Sequence, residues 1–103
     1  MAIVLLTVRA TITKDREQEY NHWYNEEHCP KVVRLSGAMN ARRFRAIMGD
    51  QHYHYVTVYE FPDEETFQRF EESEGLHELF SDYDQAFGDV SERVRAAYVQ
   101  IWP

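Results

Sequence analysis

One cysteine, three prolines and four glycines are spread over the 103 residues. Cys29 alone has no partner for an internal disulfide, and no cysteine–histidine spacing fits a zinc site. Linkers, low-complexity tracts and short-period repeats are missing. So are a glycine-rich phosphate loop and a dinucleotide fingerprint. Bases are the minority charge: 11 Lys and Arg stand against 18 acids, a net charge of −7. A nucleic-acid partner needs a basic surface that displaces counterions, so none is expected. The one basic cluster, Arg42-Arg43-Phe44-Arg45, falls in an expected strand, where side chains alternate between faces and form no continuous patch. The opening Met1-Ala2-Ile3-Val4-Leu5-Leu6 lacks a preceding basic region and is too short for a signal or membrane segment. A cytoplasmic protein with no membrane partner is expected.

Aromatic residues are plentiful: seven Tyr, six Phe and two Trp make 15% of the chain. That content suggests an aromatic-lined cavity or a large buried interface. With 44% hydrophobic residues and this length, residues 1–103 are expected to form one domain with its own core.

Ala2 to Ala10 reads as a strand that is apolar on both faces, hence central and covered on both sides. Thr13 is placed to cap a helix from about Lys14 to Cys29. On it Tyr20, Trp23, Tyr24, Glu27 and His28 share a stripe. Pro30 is expected to kink or end this helix at Cys29. Lys31 to Leu35 then adds a short turn closed by Ser36-Gly37. Ala38 to Met48 and His52 to Phe61 read as a hairpin turned at Gly49-Asp50-Gln51. Asp63 caps the next helix, with Phe67 and Phe70 on its buried stripe. After an interruption at Ser73-Glu74-Gly75, Leu76, Leu79, Phe80, Tyr83 and Phe87 recur at helical spacing. Arg93 to Trp102 is the last strand. The order βαββαβ is that of a ferredoxin-like α+β fold, an antiparallel sheet with helices on one face. The other face, with Val56 and Val58, would leave an apolar patch on a monomer. A homodimer with two sheets face to face, closing into a barrel, is the expected remedy.

With Trp23-Tyr24-Asn25-Glu26-Glu27-His28-Cys29-Pro30, then Gly37, then Ala41-Arg42-Arg43-Phe44, the chain resembles EthD-like members of the dimeric α/β-barrel superfamily. That group also holds muconolactone and methylmuconolactone isomerases, aromatic polyketide cyclases and small antibiotic-biosynthesis monooxygenases. The resemblance implies a cofactor-independent protein with a cavity between helices and sheet for a small hydrophobic or aromatic ligand. In methylmuconolactone methylisomerase-like proteins a histidine ends the first helix, where His28 stands here. The segment Tyr53 to Thr66, followed by His77, resembles plant olivetolic-acid-cyclase-like proteins. By that resemblance Tyr55 and His77 would face the cavity, although that family carries histidine in place of Tyr55.

A neutral imidazole exchanges protons near pH 7, which suits enolisation or isomerisation beside a carbonyl. His28 is therefore the candidate acid/base, with Tyr24, one turn earlier, placed to orient or hydrogen-bond it. Trp23, Tyr55 and His77 are candidate substrate contacts. No metal is expected. Isomerisation, cyclisation or lactone rearrangement is the expected chemistry, with two alternatives: a cofactor-independent monooxygenase, or a non-catalytic dimeric binding protein.

Overall fold

Alternate side chains of β1 (Val4–Ile12) are buried. Val4, Leu6, Val8, Ala10 and Ile12 lie under the helices because successive strand residues point to opposite faces. In the computed structural model, which describes residues 2–49 and 52–103, β1 pairs with both β3 (Tyr55–Phe61) and β4 (Ser91–Val99). With β2 (Asn40–Arg45) the described strands form an antiparallel sheet of order β2-β3-β1-β4. This is the ferredoxin-like α+β fold. Among the described residues, no helix is long and apolar enough to cross a membrane.

Strand limits differ from the expected ones. β1 runs to Ile12 rather than Ala10, since Thr11 and Ile12 still pair with Glu92 and Ser91. β4 correspondingly starts at Ser91, and regular pairing stops at Val99, opposite Val4. Gln100 N–H still reaches the Ile3 carbonyl (2.9 Å), but Ile101 and Trp102 pair with no strand among the described residues and are exposed. β2 and β3 are shorter than the hairpin read from the sequence. Beyond Arg45 and Tyr55 the two segments are still joined by a bond from Ala46 N–H to the His54 carbonyl (2.7 Å). The expected turn at Gly49-Asp50-Gln51 lies partly outside the described residues.

The helix layer holds the main correction. Pro30 does not end the first helix. A 3₁₀ turn (Lys14–Arg16), α1 (Glu17–Trp23), a π-helical turn (Tyr24–His28) and α2 (Cys29–Ser36) follow without interruption. Proline has no N–H and its ring clashes with the carbonyl four residues back. The wider turn relieves this: Cys29 N–H reaches five residues back to the Tyr24 carbonyl, and Cys29 keeps helical dihedrals. Pro30 then occupies the first turn of α2, where its missing donor costs little. Thr13 does not cap with its side chain. Its carbonyl accepts from Arg16 N–H (3.0 Å) instead. α2 ends at Gly37, whose φ of +84° is left-handed, and a Cβ there would lie 2.9 Å from Thr66 Cγ2.

Asp63 caps α3 (Glu64–Glu71), its Oδ1 accepting from Thr66 N–H at 2.7 Å. Ser73 caps α4 (Glu74–Phe87) through Leu76 N–H at 3.3 Å, so the expected interruption is a capping turn. Tyr20, Tyr24, Tyr59 and Phe61 are wholly buried between the two layers. The opposite sheet face carries Leu5, Val56, Val58 and Ala96, with Phe44, Val94 and Tyr98 exposed.

Candidate active site

The π turn faces α4 and β4, and a small cavity lies between them. Leu6 and Val8 of β1 floor it, and Leu76, Leu79 and Phe80 of α4 roof it. Its polar lining comes from Tyr24, His28, Tyr59 and two arginines of β4, Arg93 and Arg95. The volume is about 30 Å³, room for about two waters at most.

His28 is 4% exposed. Its ring stacks on Trp23, with centroids 4.7 Å apart and planes 18° apart. Tyr24 meets it edge-on at 4.9 Å. Tyr24 therefore orients His28 by ring contact, and no hydrogen bond joins them. Nδ1 is buried and has no hydrogen-bond partner among the described residues. Burial, reinforced by the Arg93 charge and opposed by Asp82, pushes the His28 pKa down to about 4. The ring is thus neutral at pH 7, with one nitrogen able to donate and the other to accept.

Trp23 does not line the inner cavity. It stands on the other side of His28, in an outer cleft with Glu27, Lys31, Asp82 and Gln85. There Lys31 ties α2 to α4 through Glu78 (2.6 Å) and Asp82 (2.7 Å). His28 lines both spaces.

Two expected contacts fall elsewhere. Tyr55 does not reach the cavity. It pairs with Ala10, at the end of β1 nearest the 3₁₀ turn, and its hydroxyl donates to Glu17 and accepts from Asn21 Nδ2 (3.1 Å). Tyr59, four residues on along the same strand face and paired with Leu6, lines the cavity instead. His77 is exposed on α4; its neighbour Leu76 faces inward, and about 100° of helical rotation separates them.

Arg93 and Tyr59 were not among the expected site residues. Strand alternation places Tyr59 on the same face as Tyr55, the residue that the cyclase resemblance pointed to. Arg43 was missed as well: it lies 4.4 Å over the Tyr24 ring and donates to Asn25 Oδ1 at 2.9 Å. Burial raises the Cys29 thiol pKa, which leaves it a poor nucleophile. Among the described residues no cluster of three metal-ligating side chains occurs.

Behind the cavity the buried phenols form a directed chain. Ser91 Oγ donates to the Phe87 carbonyl (2.7 Å), so it accepts from Tyr83 (2.7 Å). Tyr83 in turn accepts from Tyr20 (3.0 Å). Tyr83→Phe strands the Tyr20 hydroxyl without an acceptor, at an expected cost of about 1–3 kcal/mol. Tyr20→Phe leaves the Tyr83–Ser91 bond intact and should cost about 1 kcal/mol. Urea unfolding of both variants checks the order; equal losses would contradict the direction of the chain.

Residues 3–96 match a family model described as a domain of unknown function, DUF4286. The chain belongs to the DUF4286 family. No curated protein matches it. Among solved structures, this DUF4286 domain is similar to an EthD family protein from Bacillus halodurans, at 15% identity over 93% of this chain and 97% of that one, with a TM-score of 0.65. It is also similar to a dabb family protein with a ferredoxin-like fold from Mesorhizobium loti, 14% identical over 99% and 100% of the chains, TM-score 0.71. A third is SnoaB, a cofactor-independent oxygenase from Streptomyces nogalater, 16% identical over 100% and 97%, TM-score 0.65. These likenesses show that the chain shares the ferredoxin-like fold of those structures.

Proposed function

We propose that this DUF4286 protein is a small cofactor-independent enzyme that moves a proton on a hydrophobic, carbonyl-bearing molecule held between helices and sheet. The observation that carries this reading is His28: a buried, neutral imidazole with an unpartnered Nδ1, set in the wall of an apolar cavity. A buried polar atom left without a bond costs stability, and a ligand proton would satisfy it. His28 takes a proton from the carbon beside the carbonyl and returns it elsewhere on the ligand, giving isomerisation, cyclisation or lactone rearrangement. Its low pKa does not oppose this. A developing enolate beside the ring favours the imidazolium and raises that pKa during the transfer. Trp23 and Tyr24 hold the ring from two sides.

A cavity of about 30 Å³ does not hold a ring-bearing ligand, so binding displaces side chains of the roof, Phe80 first, since it is only half-buried. The protein acts as a homodimer, its open sheet faces packed together. Oxygenation without a cofactor is the second reading, favoured by the structural likeness to SnoaB.

The test takes ligands found by a thermal-shift screen of small aromatic, lactone and polyketide compounds and follows exchange of their α-protons in D₂O. Exchange that needs His28 supports the proposal. Binding without exchange turns the reading toward a non-catalytic ligand-binding protein.

A further inference from the structure

Two arginines of β4 line the same cavity, and they are not in the same state. The Arg95 guanidinium is fully engaged: its Nη1 and Nη2 reach the two carboxylate oxygens of Glu71 at 3.0 and 2.7 Å. Arg93, two residues earlier on the same strand face, has no such partner. Among the described residues no carboxylate lies within ion-pair reach of it, and it donates no hydrogen bond to any of them. Its contacts are aromatic: the guanidinium carbon lies 3.7 Å from the centroid of Tyr83 and 5.3 Å from that of Phe80. In a chain with 18 acids, a half-buried arginine without one stands out. Stacking on a ring holds a guanidinium in place while leaving its N–H groups at the edges. Such a fork matches the two oxygens of a carboxylate.

We infer that Arg93 is the anion anchor of this site, and that its ligand is an aromatic or hydrophobic carbonyl compound bearing a carboxylate. This rests on the reading of the cavity as a ligand site and narrows its substrate class. The carboxylate lies at the β4 side of the cavity, against Arg93, and the apolar body lies between Leu79, Phe80 and Tyr59. The carbon that loses its proton faces His28 from the opposite wall. Anchor and base then stand on different elements, β4 and the π turn, and fix the ligand's orientation between them. Tyr83 positions Arg93 without touching the ligand.

The test uses 2-hydroxybenzoate and 2-naphthoate, each against its uncharged amide, with affinities measured by thermal shift and calorimetry. The proteins are the parent, Arg93→Gln and Arg93→Lys, each first checked for an unchanged fold by circular dichroism. The parent is expected to bind the carboxylates at least about tenfold more tightly than the amides, the scale of one charge-assisted hydrogen bond. Arg93→Gln should erase that preference by weakening the carboxylates alone. Arg93→Lys should keep part of it. Equal binding of acid and amide by the parent, or a preference that survives Arg93→Gln, overturns the inference while leaving the cavity as a ligand site. No binding of any of the four probes to the parent overturns both.

Discussion

Lowering the pH from above 6.5 to below about 4 is expected to cost the folded protein about 3 kcal/mol through His28. The folded pKa is depressed from 6.5 to about 4. Above the upper value neither state binds the proton and His28 contributes no penalty. Between the two values the unfolded chain takes up a proton that the folded chain refuses, so the unfolded state gains with every step down in pH. Below about 4 both states are protonated, and the penalty is complete. Burial is the largest cause. The charges around the ring come from several elements: Arg93 on β4, Lys31 on α2, Arg43 on β2 and, in opposition, Asp82 on α4. Carboxylates titrate in the same range, so the measurement is a difference. Urea unfolding of the parent and of His28→Gln, which cannot titrate, should give stabilities that diverge above about pH 4 and run parallel above pH 7. Curves that stay parallel throughout would mean that His28 titrates as an exposed histidine does.

The second large effect concerns the open sheet face. Val58→Asp is expected to convert the proposed homodimer to a monomer, weakening its dissociation constant by about a thousandfold or more, roughly 4 kcal/mol. Val58 pairs with Thr7 on one side and Arg42 on the other, so it lies in the middle of the sheet. Phe44, Val94 and Tyr98 share that face and remain substantially exposed in the single chain. Around a two-fold axis one substitution introduces two carboxylates. Each must lose water against an apolar partner surface, at several kcal/mol apiece. Within the monomer Val58 lies on the sheet face turned away from the helices, so the fold should survive with about 1 kcal/mol of lost strand preference. Sedimentation at micromolar concentration reads the outcome. A monomeric parent removes the face-to-face pairing altogether, and a variant that stays dimeric locates the contact elsewhere.

Period and capping chemistry carried most of the fold from the sequence. The alternation along β1 put Val4, Leu6 and Val8 on one face without saying which face the helices cover, and Asp63 gave the start of α3. Helical spacing put Tyr20, Trp23, Tyr24, Glu27 and His28 on one stripe; Tyr20, Tyr24 and His28 are buried, while Glu27 is exposed. What failed were local rules that tertiary packing overrides. Pro30 is a helix breaker by its own chemistry, but a wider turn absorbs it at small cost when both flanking helices bury side chains on the same sheet. Tyr55 was expected at the cavity from the cyclase resemblance alone; strand alternation puts Tyr59 on the same face but does not say how far along the sheet a cavity sits. His77 adjoins an inward Leu76, and neighbours on a helix differ by a face. Arg93 carried no readable signal. An arginine at the start of a strand looks like surface until its partners are known, and here the informative feature is that no acid among the described residues meets it.

The most direct test of a proton-transferring His28 is α-proton exchange in D₂O, followed by ¹H NMR with the cavity ligands as substrates. Loss of a positioned general base lowers such rates by about 10²- to 10⁴-fold. The parent is expected to accelerate exchange, and His28→Gln, still binding the ligand, to lose acceleration on that scale. Exchange that proceeds as fast in His28→Gln as in the parent would contradict it.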